Sequence, residues 1–354
     1  MDGVREWLDH WNHVMQTGDG ERAKRVKQKL DSCLKAIENP DTQLYYELLS
    51  ARYEIMLGND KKASRLLAQV KPKMLNASAK HRYHYLFFSG MLATFTGRIQ
   101  EAKRFFKEME NYCDAFRDDR EIAELAYHKA VYYYQIQKPR MVLRLLSQIK
   151  PFYTENDEYW NKLACCENLH GLVCLSLKKY EQAEAFFQKA IEILEKYGVQ
   201  SPAFIYNNLG YLYAEQNSHQ EAIKYLETAV QMETEKYKSL YLLAREHFKL
   251  GNKERAAFFI EKGLVVCQET ENEEYRHHFS ILNAQNNHAY NADLEKVVNE
   301  GLAYFMKEGL TAYVREYTEL MAARYYQGNQ HEKASRYFNM AYEMWMNFEG
   351  GHQT

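Results

Sequence analysis

The chain has 354 residues, 46% of them hydrophobic and 27% charged, a composition that supports a substantial core and argues against intrinsic disorder. Its formal net charge of −2 gives no reason to expect nucleic acid or an anionic membrane as a direct partner. Only five prolines and 16 glycines stand beside 29 tyrosines and 17 phenylalanines, a balance that favours helices.

The first residues, MDGVREWLDHW, lack the apolar segment of a secretory signal, and no run in the sequence approaches the ~20 apolar residues of a membrane span. The six cysteines form no CxxC pair, so the sequence predicts neither a disulfide framework nor a zinc site. Reduced, buried thiols in a cytoplasmic protein are expected.

The N-terminal segment, residues 1–40, predicts a pair of helices on either side of the turn GDG. The second of them is basic, with Arg22, Lys24, Arg25, Lys27 and Lys29. Two interpretations remain open: a solvated helix face, or a docking surface for an acidic protein. The absence of a helix-turn-helix motif disfavours direct reading of DNA.

Residues 41–354 contain an internal repeat. Small residues recur at steps of 39, 40, 41, 39, 34 and 78, the last being two steps of 39, and they are Ala51, Gly90, Ala130, Gly171, Gly210, Ala244 and Ala322. Twelve residues after each of them stands another small residue or valine: Ala63, Ala102, Val142, Ala183, Ala222, Ala256 and Ala334. Paired small residues let two antiparallel helices cross closely, around turns such as FTGRIQEA and QNSHQEA.

This is the tetratricopeptide pattern, which residues 166–194 and 205–230 match best. Residues 278–308 have the length of another unit but match it poorly. The sequence therefore predicts an all-α fold, a right-handed superhelix of about seven to eight tetratricopeptide-like helix pairs over 41–354, preceded by the N-terminal helical pair.

Motifs of self-contained enzymes are missing from the sequence: there is no Walker loop, no GxSxG and no HExxH. The histidines of HRYH (81–84) and HH (277–278) lack the spacing of a zinc pair, and each histidine is predicted at the surface or at an interface. No cofactor and no metal are therefore expected. Stacked repeats instead form a long surface that holds an extended peptide or a partner.

Two asparagines stand at the same position of neighbouring repeats, Asn168 three residues before Gly171 and Asn207 three residues before Gly210. In tetratricopeptide superhelices this part of the first helix lines the concave groove. Because Ser201 and Pro202 supply a better helix start, Asn207 and Asn208 fall inside the helix. An amide offers a donor and an acceptor, which suits it to grip a peptide backbone.

Asn208 has a second interpretation, a structural contact between helices. The complete set of predicted peptide-binding residues is Asn168, Phe204, Asn207, Asn208, Tyr211, Glu215, Tyr241, Arg245 and Asn339. In this set the aromatic residues form apolar pockets, Glu215 and Arg245 read charged groups, and Asn339 closes the far end of the groove.

The stretches LYYELLSARYEIML (44–57), YHYLFFSGMLATF (83–95) and DDREIAELAYHKAVYYYQIQK (118–138) resemble the Rap proteins, response regulator aspartate phosphatases of bacilli. The resemblance covers nearly the whole chain, beginning with EWLDHW. It places the sequence near the wider group of peptide-pheromone receptors that includes Rap, NprR, PlcR and PrgX.

The resemblance implies a cytoplasmic quorum-sensing receptor for a short secreted peptide, a response regulator as a further partner, and a possible homo-oligomer. Rap proteins use a glutamine in the loop before the LYY helix, where this sequence has Pro40; Gln43 is out of register, and Asn39 is the remaining candidate substitute. We therefore expect an NprR-like regulator of transcription or sporulation that reaches DNA only through a domain not in this sequence, which is then a fragment of a longer receptor. A Rap-type phosphatase or phosphorelay inhibitor, and a plain tetratricopeptide scaffold, remain the alternatives.

Overall fold

The structure is a computed structural model that describes residues 2–33, 39–115, 118–199, 202–232, 237–287 and 291–350. Within these ranges the chain forms 18 α-helices, three short 3₁₀ helices and no β-strand, which confirms the all-α fold class. None of these helices is long and apolar enough to cross a membrane. Ser201 lies outside the described residues.

The chain divides into two compact units. The first, Met1–Glu235, contains α1 Asp2–Thr17, α2 Gly20–Cys33, α3 Pro40–Met56, α4 Asp60–Val70, α5 Ala79–Phe95, α6 Ile99–Met109, α7 Asp119–Gln135, α8 Pro139–Glu155, α9 Trp160–Ser176, α10 Tyr180–Lys196, α11 Ala203–Glu215 and α12 His219–Met232. The second, Lys236–Thr354, contains α13 Tyr237–Lys249, α14 Lys253–Thr270, α15 Glu273–Asn286, α16 Asn291–Glu308, α17 Thr311–Gln327 and α18 His331–Gly350.

From α3 onward the helices pack as pairs, each odd-numbered helix A against the helix B that follows it. The described residues hold five such pairs in the first unit and three in the second, eight in all, as the repeat predicts. All fourteen residues of the small-residue pattern are buried. A Cβ atom added at Gly171 would lie 2.6 Å from Cε1 of Phe187 and 3.1 Å from the backbone oxygen of Ala183. The small residues are therefore required by the close crossing of the two helices.

In the seven pairs that carry the small-residue pattern, the turn has one residue in the left-handed region, seven positions after the small residue of helix A. These residues are Gly58, Gly97, Gln137, Lys178, Asn217, Gly251 and Asn329, with φ between 54° and 76°. Only three of them are glycine, so the turn repeats in geometry where it does not repeat in sequence.

The poorly matching segment also forms a helix pair, α15 with α16, and the prediction of a further unit there is confirmed. Its close helix contacts involve other small residues, Gly301 within the pair and Gly263 of the preceding helix α14. A Cβ atom at Gly263 in α14 would lie 2.0 Å from the Phe279 ring, and one at Gly301 in α16 would lie 3.0 Å from Ile281.

The N-terminal helices belong to the first compact unit, where α1 packs against α3 and also contacts α9. Trp11 is buried between the rings of Tyr46 and Tyr53, at centroid distances of 6.0 and 5.6 Å. The α1–α2 turn is fixed by Asn161 of α9, whose Nδ2 donates to the carbonyl of Gly18 at 2.9 Å. Most of the basic side chains of α2 are exposed.

Candidate functional site

Three asparagines from neighbouring A helices of the first unit come together, and we call Asn168, Asn207 and Asn208 the asparagine face. Asn168 lies in the middle of α9, while Asn207 and Asn208 are the fifth and sixth residues of α11, well inside the helix. Helix α11 starts at Ala203 directly after Pro202, so the prediction that these asparagines are not caps is confirmed.

Hydrogen bonds join the three amides in a chain. The Nδ2 group of Asn207 donates to Oδ1 of Asn208 at 3.4 Å, and the Nδ2 group of Asn208 donates to Oδ1 of Asn168 at 2.7 Å. The contact predicted between Asn208 and the neighbouring helix is therefore present. Asn207 is 9% exposed and the other two are partly exposed, so polar atoms lie at the edge of a largely desolvated surface.

The other predicted residues of α11 follow the same stripe of the helix. Phe204, Tyr211 and Glu215 stand three to four residues apart from the asparagines or from one another, the spacing of neighbours on one helix face. Phe204 is 37% exposed, Tyr211 packs partly against the hydrophobic core of α9–α11, and Glu215 is exposed at the helix end. The stripe thus changes from apolar to polar to acidic along α11.

In the second unit, Tyr241 and Arg245 lie one turn apart on α13. The Tyr241 ring packs on His278 and Phe279 at centroid distances of 5.3 and 5.6 Å, and burial raises its pKa to about 12. Nε of Arg245 donates to the buried carboxylate of Glu246 at 3.0 Å. Tyr241 is therefore anchored within an aromatic cluster, and Arg245 is oriented by its neighbour.

Asn339 is exposed on α18. It lines a shallow depression formed along that one helix by Glu332, Ser335, Arg336, Asn339, Met340 and Glu343. Its surroundings in this depression are thus mainly polar, and its role at the far end of the groove stays a prediction.

A buried polar cluster in the first unit was not predicted, and it joins α1 to α3, α5 and α7. Arg52 of α3 hydrogen-bonds both Asn12 of α1 and Glu124 of α7, and both residues of the Arg52–Glu124 ion pair are almost fully buried. Glu121 of α7 accepts from Asn12 at 3.2 Å and from Gln16 at 2.8 Å. No sequence motif marks this cluster, because its members come from helices up to 109 residues apart.

Buried histidines in both units correct a prediction. His81 and His84, expected at the surface or at an interface, are 1% and 0% exposed, and His278 of the second unit is 2% exposed. His84 stacks between Tyr45 and Phe88, with centroid distances of 5.5 and 5.4 Å. Aromatic neighbours on adjacent helices thus enclose side chains that the linear pattern presents as polar.

Charge within the cluster sets the ionisation of Glu121. Burial alone raises the pKa of this carboxyl, but His84, Arg52 and the hydrogen bond from Asn12 outweigh burial and hold the pKa below its ordinary value. His84 Nε2 lies 3.9 Å from the Glu121 carboxylate. Burial lowers the pKa of the nearby His128 well below its ordinary value, so this imidazole is neutral at pH 7.

The loop position where the Rap resemblance implies a glutamine is the start of α3. Pro40 is the first residue of the helix, and Asn39 caps it, its Oδ1 accepting from the backbone N–H groups of Asp41 and Thr42 at 2.8 and 3.3 Å. Nε2 of Gln43 points along the helix to Glu47 at 3.5 Å. The side-chain oxygen Oδ1 of Asn39 is thus engaged in capping. Among the described residues, no group of three or more His, Cys, Asp or Glu side chains is arranged to hold a metal ion.

Comparison with known families first defines the class of protein. Tetratricopeptide repeat profiles match residues 162–235 and 237–264, in agreement with the helix pairs observed there. The profile described as "response regulator aspartate phosphatase H, N terminal" matches residues 2–58. The chain contains tetratricopeptide repeats, and its N-terminal helices are similar to the N-terminal segment of a response regulator aspartate phosphatase.

Individual relatives extend this similarity over the whole chain. Regulatory protein RapG of Bacillus subtilis (strain 168) is 24% identical over 351 residues, covering 96% of this chain and 95% of its own length. Response regulator aspartate phosphatase A of the same organism is 24% identical over 353 residues, covering 95% and 91%.

Solved structures agree on the fold. A Rap protein complexed with Competence and Sporulation Factor superposes with a TM-score of 0.84 at 21% identity, over 99% of both chains. NprR in complex with its cognate peptide NprX superposes with a TM-score of 0.78 at 17% identity, over 97% of this chain and 100% of that one. The predicted resemblance to the Rap and NprR group is confirmed.

Proposed function

We propose that this chain is a quorum-sensing regulator, a cytoplasmic receptor that binds a short signalling peptide along the asparagine face. The observation that carries the proposal is the chain of three amides across α9 and α11, inside helices where no cap requires them. Amides at the edge of a desolvated surface suit the backbone of an extended peptide, which repeats one donor and one acceptor per residue. Similarity to a Rap protein complexed with Competence and Sporulation Factor, and to NprR in complex with its cognate peptide NprX, supports the proposal.

The side chains around the asparagines offer different kinds of contact to a bound peptide. Phe204 and Tyr211 offer apolar contact to peptide side chains, and Glu215 offers a negative charge at the end of the stripe. For the second unit, taken by itself, we propose Tyr241, Arg245 and Asn339 as peptide-contacting residues. Each buried amide left without its peptide partner costs about 1–3 kcal/mol of affinity.

Peptide binding acts as a signal only if the peptide binds two conformations or assemblies of the receptor with different affinity. We propose that the output passes to a response regulator through the N-terminal helical pair, residues 1–40, with residues 41–354 as the peptide-binding repeat domain. The exposed basic side chains of α2 provide a surface for an acidic partner. A transcriptional output needs a DNA-binding domain in addition to these residues.

Fluorescence anisotropy with labelled peptides of 5–10 residues, taken from the short secreted precursor encoded beside this chain's gene, tests the receptor function. We expect wild type to bind one of them with micromolar or tighter Kd, and Asn207→Ala to weaken that binding at least tenfold. Gln188→Ala is the matched control, because it removes an exposed amide from α10, a B helix of the same unit. Failure of wild type to bind any peptide contradicts the proposal and favours a scaffold; equal affinity of Asn207→Ala and wild type contradicts the assignment of the site.

A Rap-type phosphatase is the second candidate, because the N-terminal profile match spans residues 2–58 and relatives carry that name. Pro40 lacks the side-chain amide that would orient water toward a phosphoaspartate, and Asn39 uses its oxygen as a cap. We therefore expect wild type not to accelerate dephosphorylation of a phosphorylated response regulator. Acceleration by wild type would establish the second candidate; Pro40→Gln is the variant that tests whether the missing amide is the reason for inactivity.

A further inference from the structure

Both ends of the Asn208 amide are engaged within the asparagine face. Its Nδ2 group donates from α11 to Asn168 of the neighbouring A helix α9 at 2.7 Å, and its Oδ1 accepts from Asn207 at 3.4 Å. A primary amide has a donor end and an acceptor end on opposite sides. Because both ends of the Asn208 amide are used within the protein, this side chain is suited to orient its neighbours rather than to bind a ligand.

The consequence falls on Asn168. With its Oδ1 held by the donor of Asn208, the Asn168 amide is fixed in one of its two possible orientations, in which the NH2 group points away from Asn208. Without that hydrogen bond the amide rotates by half a turn at little cost, and either end can face the peptide.

We propose that Asn208 is a positioning residue, which acts through Asn168 and makes it present N–H donors to a backbone carbonyl of the bound peptide. This inference rests on the proposed peptide-receptor function and adds which end of the Asn168 amide contacts the peptide backbone. The donor of Asn168 then selects peptide registers that place a carbonyl oxygen there, since an N–H group in that place would meet another donor.

A double-mutant cycle in peptide affinity tests the positioning role. We expect Asn208→Leu, which keeps the size but removes both polar ends, to weaken peptide binding roughly tenfold, as Asn168→Ala does. In the Asn168→Ala background, Asn208→Leu is expected to change Kd less than twofold, because Asn208 has no Asn168 amide left to orient. A purely structural role predicts instead that Asn208→Leu lowers the thermal midpoint and leaves Kd unchanged, or that the two effects on Kd multiply.

Two further variants separate the effect of amide orientation from the effect of side-chain size. Asn168→Asp keeps an acceptor for Asn208 but has no NH2 group, so we expect it to bind peptide as weakly as Asn168→Ala. Asn208→Asp keeps the shape of Asn208, replaces its NH2 donor by a carboxylate oxygen that only accepts, and serves if the leucine variant does not fold; it too is expected to weaken binding roughly tenfold. Wild-type affinity of Asn168→Asp or Asn208→Asp would overturn the proposal.

The same titrations distinguish failure of the inference from failure of the receptor function. Absence of peptide binding by wild type overturns both. Peptide binding that is weakened by Asn168→Ala and unaffected by either Asn208 variant overturns the positioning role alone.

Discussion

At the scale of single residues, the crossing of α9 and α10 leaves no room for a side chain at Gly171. We expect Gly171→Ala to destabilise the protein by about 1–3 kcal/mol, because the new methyl group meets the Phe187 ring and the backbone of Ala183. Urea unfolding measures the change. Gly20→Ala is the control: nothing lies within 4 Å of the position of its Cβ, and the free energy of unfolding should stay equal or rise by up to about 1 kcal/mol.

The buried polar cluster gives a second prediction for a single residue. Arg52→Met leaves the carboxylates of Glu121 and Glu124 buried without their cation, and we expect a loss of about 3–5 kcal/mol. Arg98→Met removes an exposed ion pair with Glu101 and should cost no more than about 1 kcal/mol. Equal unfolding midpoints for the two variants would contradict the structural role given to the cluster.

Residues differ in how far the sequence reveals their role. The sequence singles out Asn168 and Asn207 because they share a repeat position and because Pro202 fixes the helix start nearby, and their peptide-binding role stays a prediction. Arg52, Glu121 and Glu124 were not, because their pairing depends on which helices become neighbours. The link from Asn208 to Asn168 was anticipated only as a contact between helices, since a repeat pattern does not contain the direction of an amide.

At the scale of helices and turns, the left-handed turn residues predict a stabilising substitution. Lys178 is exposed and adopts φ 58°, a conformation that costs a non-glycine residue roughly 1–2 kcal/mol. Glycine removes this cost in the folded state, but part of the gain is lost because glycine has more conformational freedom in the unfolded chain. Lys178→Gly should therefore raise the free energy of unfolding by up to about 1 kcal/mol. Lys179→Gly, a neighbouring exposed lysine outside the left-handed region, should be neutral or destabilising, and the reverse ranking in urea unfolding would contradict this account.

The helix pairs could be predicted from the repeat of small residues, because a close crossing of two helices requires a small residue in each of them. The turn geometry did not, because glutamine, lysine and asparagine occupy positions that a sequence reader expects to be glycine. For the pair α15–α16 only the length of the segment indicated a further unit, because its close approaches are made by Gly301 of α16 within the pair and by Gly263 of the preceding helix α14.

At the scale of the whole molecule, buried neutral histidines in both units predict sensitivity to acid. Burial lowers the pKa of His81 from 6.5 to about 4 and that of His278 from 6.5 to about 3. Below about pH 6.5 the unfolded chain takes up protons that the folded chain does not, so stability is full above this pH and falls as the pH drops toward 4. The lowered pKa of Glu121 acts in the same direction at still lower pH.

Urea midpoints at pH 7.5, 6.0 and 5.0 and constant ionic strength measure this dependence. We expect the midpoint to fall with each step, and to fall less in His128→Leu, which removes one buried imidazole whose pKa is also lowered. A midpoint that is constant or rises on acidification would contradict the burial of these groups.

The fold class, the repeat and the Rap-like character of the whole chain could be predicted from the sequence, because each depends on patterns repeated over many residues. The peptide and its register could not, because they depend on a few side-chain orientations.

Photo-crosslinking with a peptide that carries one benzophenone side chain tests the receptor function and its location together. The account predicts saturable crosslinking, blocked by excess unlabelled peptide, to residues of α9 or α11, with the asparagine face among or next to them. Saturable crosslinks confined to B helices or to the N-terminal helices, or no saturable crosslink from any of the candidate peptides, would contradict it.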